Sequence, residues 1–313
     1  MALLVVGSVA LDSLRTPFGV REDVLGGSAT YFATAASFFA PVRMVAVVGE
    51  DFPDEHVQFL LGRGVDLAGL ERRAGRTFRW SGRYEFDLNQ AHTLDTQLNV
   101  FADFRPELPE EFRESSHVFL GNIDPELQLR VLDQVRTPAI VAADTMNFWI
   151  TSRRKALLEV LKRVDLLFVN DAEARQLAGE HNIVRAARAI LSFGPSAVVV
   201  KRGEYGALFF SGQDVFAGSA YPLAELFDPT GAGDSFAGGF MGYLARSGSL
   251  DASAMRRAMV VGSVVASFAV ERFGLDRLRD LRPDEIRARY SEFRRLAHFD
   301  DLDVDVLASD RLG

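Results

Sequence analysis

The stretch DPTGAGDSFAGGFMGYLA, residues 228–245, decides the fold of this chain. Gly231 and Gly233 stand immediately before a segment in which Phe236 and Phe240 recur at helical spacing. Glycines at a helix start let a ligand approach the backbone, and the free amides with the positive end of the helix dipole attract anions. Capping alone would explain Asp234 in the first turn, but not the Gly-Ala-Gly before it. The stretch therefore predicts a phosphate site with a carboxylate beside it.

Upstream of this stretch, apolar runs alternate with helix-length segments, which is typical of a parallel sheet covered by helices on both faces. Strands are predicted at residues 3–6, 42–48, 117–120, 139–143, 166–169 and 197–200. Helices are predicted at 28–40, 54–63, 125–135, 152–163, 171–179 and 182–193, and further on at 233–246, 251–271 and 284–296. The pattern indicates an α/β fold with a mostly parallel central sheet.

Residues 76–103 break this alternation, because they are aromatic, rich in threonine and partly alternating, with no helical period. Short antiparallel strands are predicted there. With residues 13–25 they are expected to form a small β-strand lid, so that a single domain spans 1–313 and its lid comes from about 13–25 and 75–103. The acidic segment at 299–310 is expected to be solvated surface.

The composition excludes several classes of protein. The chain has 35 Lys and Arg against 43 Asp and Glu, a formal net charge of -8, and no cysteine. Disulfide scaffolds, thiolate metal sites and cysteine nucleophiles are therefore excluded. The acidic balance argues against nucleic acid or an anionic membrane as the main partner. The apolar run at 258–270 is shorter than the ~20 residues of a membrane span. A cytoplasmic location is the default expectation.

The seven residues from Asp228 to Asp234 resemble the C-terminal signature D-T-x-G-A-G-D of the ribokinase-like (PfkB) family of sugar and nucleoside kinases, with Pro229 in place of the first threonine. The resemblance extends over nearly the whole chain. It includes GSVALD ending at Asp12, GGSATY from Gly26, VGEDF from Val48, VNDAEA with Asn170 and Glu173, and VVVKRGEYGALFF around Lys201. It implies a ribokinase-like fold and a magnesium-dependent transfer of the ATP γ-phosphoryl group to a hydroxymethyl group.

The resemblance also implies roles for individual residues. Asp234 would be the catalytic base, beside the anion-binding backbone of Gly231, Ala232 and Gly233. The acceptor would be bound by Asp12, Gly26, Gly27, Tyr31, Asn122 and Asp234. The nucleotide phosphates and ribose would be bordered by Lys201, Gly203, Gly206, Thr230, Gly231 and Gly233. Asn170 and Glu173 would organise Mg²⁺ through water. Some relatives also hold a monovalent cation, and whether this chain holds one near Asp228 and Thr230 is left open.

Two of these roles have structural alternatives. Asn170 with Glu173 also reads as a helix cap followed by a first-turn carboxylate, and Lys201 also reads as a strand-end charge in solvent. The resemblance favours the metal role for the first pair. For Lys201 the two interpretations are held equal.

The acceptor is predicted from departures from the sugar-kinase pattern. Ala10, Ser28 and Tyr31 stand where sugar kinases carry polar or basic groups, and GNIDPELQ from Gly121 looks more like prokaryotic nucleoside kinases. Aromatic residues of the lid could stack on a base, or instead pack on one another or on a second subunit, which would make a homodimer. A nucleoside is the predicted acceptor; a free sugar or sugar acid is the alternative, followed by a catalytically silent ligand-binding relative.

Overall fold

The computed structural model describes residues 2–89 and 91–301, so most of the acidic segment predicted as surface, from residue 302 on, lies outside the described residues. The strands are β1 (Leu3–Val6), β2 (Ala10–Thr16), β3 (Gly19–Gly26), β4 (Val42–Gly49), β5 (Val65–Arg73), β6 (Phe78–Tyr84), β7 (Ala91–Gln97), β8 (His117–Leu120), β9 (Ile140–Asp144), β10 (Leu166–Asn170), β11 (Ala197–Lys201), β12 (Ala207–Ser211) and β13 (Asp214–Gly218).

The helices alternate with these strands in the first two thirds of the chain and follow one another in the last third. They are α1 (Ser28–Ala36), α2 (Asp54–Gly62), α3 (Pro125–Leu132), α4 (Asn147–Ser152), α5 (Arg154–Leu161), α6 (Asp171–Ala178), α7 (Ile183–Leu191), α8 (Ala232–Ser247), α9 (Ala252–Ala269), α10 (Asp276–Asp280) and α11 (Pro283–Leu296). None of those within residues 2–89 and 91–301 has both the length and the apolar character needed to cross a membrane.

The large sheet has the strand order β13-β12-β11-β10-β9-β8-β1-β4-β5. All neighbours from β11 to β5 are parallel, whereas β12 and β13 form an antiparallel hairpin at one edge. The α/β fold and every predicted strand are confirmed. Of the strands that were not predicted, β5 and β13 are the two edge strands of this sheet, and β12 pairs with β13 in the hairpin at one of these edges. Edge strands meet solvent on one side, so the continuous apolar run is lost.

Strand order reverses on the two sides of β1, because β4 and β5 extend the sheet one way and β8 to β11 extend it the other way. In open α/β sheets, ligands bind outside the carboxyl ends of the strands at such a switch point. The first helix begins here: α1 starts at Ser28, whose amide and hydroxyl bond to Ser8 just beyond β1. The topology therefore directs the search for a site to this edge.

Helices cover both faces of the sheet and enclose two apolar cores. One core contains α1, α8 and α9, and the other contains α3, α5, α6 and α7. On α8, a Cβ at Gly238 would lie 2.4 Å from the carbonyl oxygen of Phe32, and one at Gly242 would lie 3.1 Å from the Ala36 backbone. These glycines let α8 approach α1 closely, which sets where the amino end of α8 meets the edge of the sheet.

The small sheet has the order β3-β2-β6-β7. Strands β2 and β3 are antiparallel, as are β6 and β7, which agrees with the predicted antiparallel strands. The central pair, β2 with β6, is parallel instead. The reason is that β2 follows β1 and β6 follows β5, so both leave the same carboxyl edge of a parallel sheet in the same direction. A lid function and a homodimer through this sheet stay predictions.

Candidate active site

The predicted site residues come together where three parallel strands end. Asp144, Asn170 and Lys201 are the last residues of β9, β10 and β11. Register pairs Asn170 with Lys201, whereas Asp144 pairs with Phe168, two residues before Asn170, so the three residues lie at the same edge of the sheet with Asp144 set back from the other two. Helix α8 begins opposite them: a Cβ placed on Gly233 would lie 2.9 Å from the Lys201 Nζ.

The signature loop is a turn that opens directly into α8. Gly231 is the N-cap with a left-handed backbone, φ 72°, and the helix begins at Ala232, one residue earlier than predicted. The Ala232 amide donates to the Pro229 carbonyl at 3.2 Å, whereas the amides of Gly233 and Asp234 have no backbone acceptor within the described part of the chain. Two free donors at a helix start favour an anion there.

Asp228 holds this loop in place. One of its carboxylate oxygens accepts the Thr230 amide at 2.9 Å and the other accepts the Gly274 amide at 2.8 Å, and the side chain is fully buried. Both oxygens therefore serve the loop in this structure. The monovalent cation near Asp228 and Thr230 stays a prediction.

The ring of Tyr31 lies directly against Gly231. A Cβ at Gly231 would approach three carbons of the ring to 2.3–2.4 Å. Glycine is therefore required at this position for two reasons, the positive φ and the ring contact. The Tyr31 hydroxyl is buried with no hydrogen-bond partner among the described residues, and burial, with the nearby Asp228 and Asp12 carboxylates, raises its pKa. A buried donor without a partner is a candidate for binding a ligand oxygen.

Asp234 and Asp12 are two carboxyl groups of the site whose pKa values are raised. Burial and the neighbouring Asp144 raise the pKa of Asp234 to about 8, against the opposing effect of Lys201. Burial and Asp228 raise the pKa of Asp12 to about 8. Asp12 packs on Gly26, where any side chain would collide with its carboxylate. A carboxylate whose pKa lies close to physiological pH is suited to accept a proton.

The Lys201 ammonium group is not a solvent-exposed charge at the end of its strand. Its Nζ donates to the Asp144 Oδ2 at 2.8 Å, and the two side chains are 18% and 7% exposed. Burial lowers the pKa of Lys201, but the Asp144 and Glu173 carboxylates outweigh it and the net shift is upward. Lys201 therefore stays charged beside Gly233, in agreement with the phosphate-side interpretation.

Asn170 and Glu173 form a reciprocal capping box at the start of α6. Each side chain accepts the other residue's backbone N–H at 2.7 Å. Burial and Asp144 raise the pKa of Glu173 to about 7. Within the described residues no three His, Cys, Asp or Glu side chains are close enough to hold a metal directly. Mg²⁺ prefers oxygen ligands and keeps several waters, so the oxygens of Asn170 and Glu173 are suited to hold it through water, and this role stays a prediction.

The remaining predicted residues border this region. Gly27 is the N-cap of α1, with φ 93°. Gly203 and Gly206 flank a 3-10 turn after β11. Asn122 follows β8, but its side-chain oxygen already accepts the Trp149 indole N–H at 3.0 Å. Asn122 therefore orients Trp149 in this structure, and its contact with an acceptor stays a prediction.

Two residues at the site were not assigned to it from the sequence. The position of Asp144 at the end of a predicted strand indicates only a substrate-side or supporting group, because its partner Lys201 lies 57 residues away. Tyr84 was one of several aromatic residues of the lid, and its hydroxyl lies 3.2 Å from the Thr230 hydroxyl. The available signal was the alternation of Trp80, Gly82 and Tyr84, which places them on one face of β6.

The raised carboxyl pKa values predict a pH-dependent stability. A carboxyl group whose pKa rises on folding, here Asp12 from 3.8 to about 8, stabilises the protein at acid pH and loses this contribution as the pH rises through about 8. The free energy of unfolding of the ligand-free protein should therefore fall as the pH rises from about 5 to about 8 and level off above that pH. In Asp12→Asn this fall should be smaller, as measured by urea unfolding.

The control for this measurement is Asp284→Asn. Asp284 is exposed, and its hydrogen bond to Arg282 lowers its pKa, so its titration lies on the acid side of the window. This variant should show the wild-type slope. Equal slopes in Asp12→Asn and the wild type would contradict a raised pKa at Asp12.

The fold and the site together define a phosphotransferase of the ribokinase-like class. The family model described as pfkB family carbohydrate kinase matches residues 7–279. The chain belongs to the pfkB family of carbohydrate kinases, and it is a carbohydrate or nucleoside kinase. The predicted family and enzyme class are thus confirmed, and ATP is the phosphoryl donor expected for this family.

Individual relatives span both kinds of acceptor. A cytidine kinase of Thermococcus kodakarensis is 32% identical over 253 residues, which cover 80% of this chain and 90% of the relative. A 2-dehydro-3-deoxygluconokinase of Thermoproteus tenax is 27% identical over 294 residues, 83% of this chain and 86% of the relative. The structure of a Burkholderia thailandensis nucleoside kinase in complex with inosine has a TM-score of 0.76 at 18% identity, covering 93% and 97% of the two chains. At this low identity, the similarity to the Burkholderia thailandensis structure shows that the two chains share a fold.

Proposed function

We propose that this kinase transfers the γ-phosphoryl group of ATP, with Mg²⁺, to the hydroxymethyl group of a nucleoside. The observation that carries the proposal is the position of Trp80 beside Asp12. These two residues are register partners on adjacent strands of the small sheet, so their side chains share one face. We call this the inner face, defined by Asp12, Trp80, Gly82 and Tyr84.

The inner face provides a flat aromatic surface. The Trp80 ring lies over Gly82, where a Cβ would approach it to 2.1 Å, and its indole N–H donates to the Thr93 hydroxyl at 3.1 Å. The ring is thus held in orientation and stays partly accessible. The other lid aromatics are less suited: Phe78 packs on Phe101 and Phe86 is 95% exposed. A base stacked on Trp80 places its ribose toward Asp12.

The chemistry of the transfer rests on groups already in place. Asp234 accepts the proton of the acceptor hydroxyl as the bond to phosphorus forms, and a positioned base typically contributes ~10²- to 10⁴-fold. The free amides of Gly233 and Asp234 and the Lys201 ammonium meet the negative charge of the transferring group. Asp144 keeps Lys201 at this position.

The residues that would organise Mg²⁺ are Asn170 and Glu173, through water, next to Asp144. When bound, Mg²⁺ neutralises charge on the nucleotide phosphates. The buried Glu173 carboxylate, with its raised pKa, would be stabilised in its ionised form by a nearby cation.

The test is a phosphorylation screen of the purified protein with ATP and Mg²⁺ against nucleosides, including cytidine and inosine, and against ribose and 2-dehydro-3-deoxygluconate. A nucleoside should give the highest kcat/KM. Preference for the sugar acid or for ribose would overturn the nucleoside proposal and leave the kinase assignment in place. Turnover with cytidine has the support of the Thermococcus kodakarensis relative.

Trp80→Leu separates the stacking role from simple packing. Loss of a base–aromatic stack costs about 1–3 kcal/mol, so KM for the preferred nucleoside should rise about 5- to 160-fold while KM for ATP changes little. Phe86→Leu is the matched control, since this lid ring is exposed and should change neither value. An unchanged nucleoside KM in Trp80→Leu would mean that the base lies elsewhere.

A further inference from the structure

We propose that Tyr84 is a positioning residue that fixes the signature loop from the small sheet, through its hydroxyl. Tyr84 ends β6, on the inner face, and Thr230 lies 146 residues later in the loop that opens α8. The Thr230 hydroxyl donates to the Tyr84 phenol oxygen at 3.2 Å, and both side chains are buried. The bond thus joins the two sheets at the residue before Gly231.

Two side-chain hydrogen bonds involve Thr230. The Thr230 amide donates to the Asp228 carboxylate, and the Thr230 hydroxyl donates to the phenol oxygen of Tyr84 in the small sheet. These two bonds hold Thr230 at both its backbone and its side chain. Because Gly231 has a positive φ and Ala232 begins α8, a rotation at Thr230 would turn the amides of the helix start away from their common direction.

A second contact places the small sheet over the other side of the site. Asn89, in the turn between β6 and β7, lies so close to Gly203 that a Cβ there would be 2.4 Å from the Asn89 Oδ1. Strand β6 and the turn after it therefore contact the signature loop and the turn after β11 together. Among residues 2–89 and 91–301, the side-chain hydrogen bond that joins the small sheet to the signature loop is made by the Tyr84 hydroxyl.

Burial of the phenol shows that the bond is not a surface contact. Tyr84 is 9% exposed, and burial raises its pKa, which keeps the phenol neutral. A neutral hydrogen bond of this kind changes an equilibrium by about 3- to 10-fold when it is removed. The phenyl ring also fills space, so the two contributions must be separated by Tyr84→Phe, which keeps the ring.

The first experiment needs no acceptor, and so stands apart from the proposed function. Amide hydrogen exchange of the loop and helix start, residues 228–236, is compared in the wild type, Tyr84→Phe, Thr230→Val and the double variant. Each single change should accelerate exchange about 3- to 10-fold, and the double variant should show no more than either one. Thr230→Ser, which keeps the hydroxyl, should restore the wild-type rate.

Tyr221→Phe is the matched control, because it removes a tyrosine hydroxyl that donates to Glu292 away from the site. It should leave exchange at 228–236 unchanged. Wild-type exchange in Tyr84→Phe, or additive effects in the double variant, would overturn the proposal. Should Tyr84→Phe fail to fold, Thr230→Val tests the same bond from the other side.

The second experiment asks whether the bond serves catalysis, with ATP and cytidine as the probes. Tyr84→Phe should lower kcat about 3- to 10-fold, with little change in KM for ATP, since the loop is misplaced and not removed. The ratio of ADP formed to nucleoside phosphorylated should rise, because water reaches a loosened site. An unchanged kcat and ratio would overturn a catalytic role. Should neither cytidine nor any other nucleoside be phosphorylated, the proposed acceptor class fails, while the exchange result still decides the position of the loop.

Discussion

Asp234→Asn is expected to lower kcat by about 10²- to 10⁴-fold, whereas ATP binding should be retained. The change keeps the shape of the side chain at the third residue of α8 but removes the only function that a neutral amide cannot supply, the acceptance of a proton. The measurements are a coupled assay of ADP formation with the preferred acceptor, and calorimetric titration with ATP. Full activity in this variant would remove Asp234 as the base.

The control for Asp234→Asn is Asp276→Asn. Asp276 also stands in the first turn of a helix, α10, but it is exposed and outside the site. This variant should keep wild-type kcat and KM, which separates the loss of a base from a general effect of removing a first-turn carboxylate. A comparable loss in both variants would point to helix stability as the cause.

Asp234→Asn should also remove a cost of folding at alkaline pH. Because the pKa of Asp234 is raised from 3.8 to about 8, the folded protein loses stability as the pH rises between these two values, and the full cost of the buried charge is present above about pH 8. The asparagine variant is therefore expected to be at least as stable as the wild type near pH 9, while it is inactive. The negative charge of Asp234 is thus needed for the reaction, but it lowers the stability of the folded protein.

Gly231→Ala is the second large effect, and it acts through geometry. The new Cβ would lie 2.3 Å from the Tyr31 ring, and the backbone would keep φ near 72°, which L-residues rarely adopt. We expect kcat/KM to fall about 10²-fold or more, because misplacement of about 1 Å costs this much, and the free energy of unfolding to fall by about 1–3 kcal/mol. Steady-state kinetics and urea unfolding measure the two effects.

The matched control is Gly62→Ala. Gly62 is the last residue of α2, has no positive φ, and a Cβ there meets no atom within 4 Å. This variant should be as stable as the wild type or more stable by up to about 1 kcal/mol, with normal activity. In a Tyr31→Ser background, which removes the collision but leaves the strained φ, Gly231→Ala should lower the free energy of unfolding by less than it does in the wild type. Wild-type kinetics in Gly231→Ala would contradict a tightly fitted loop.

Much of the fold was predictable, and the reason is local. The central strands are continuous apolar runs because helices cover both faces, so β1, β8, β10 and β11 were placed almost to the residue. Edge strands could not be found in this way. The sequence VDLAGLERR of β5 mixes buried and exposed positions, and the β12–β13 hairpin follows a 3-10 turn that carries no periodic signal.

Site residues, like strands, were predictable where the signal is local and not where it depends on a distant partner. Gly231 and Asp234 were predictable because a helix start with glycines is a local pattern whose chemistry follows from nearby amides. The roles of Asp144 and Tyr84 depend on partners 57 and 146 residues away. No local pattern encodes such a pair, because its members meet only when separate strands reach the same edge.

The amino-acid sequence by itself therefore determined the α/β class, the kinase family resemblance and the position of the signature loop, since each rests on residues that are neighbours in the chain. Only the tertiary structure decided that Lys201 is buried against Asp144, that the Tyr31 ring lies on Gly231, and that Tyr84 reaches Thr230. The physical reason is that burial and long-range contact set the charge state and orientation of each group, and both arise only when the sheets and helices pack together.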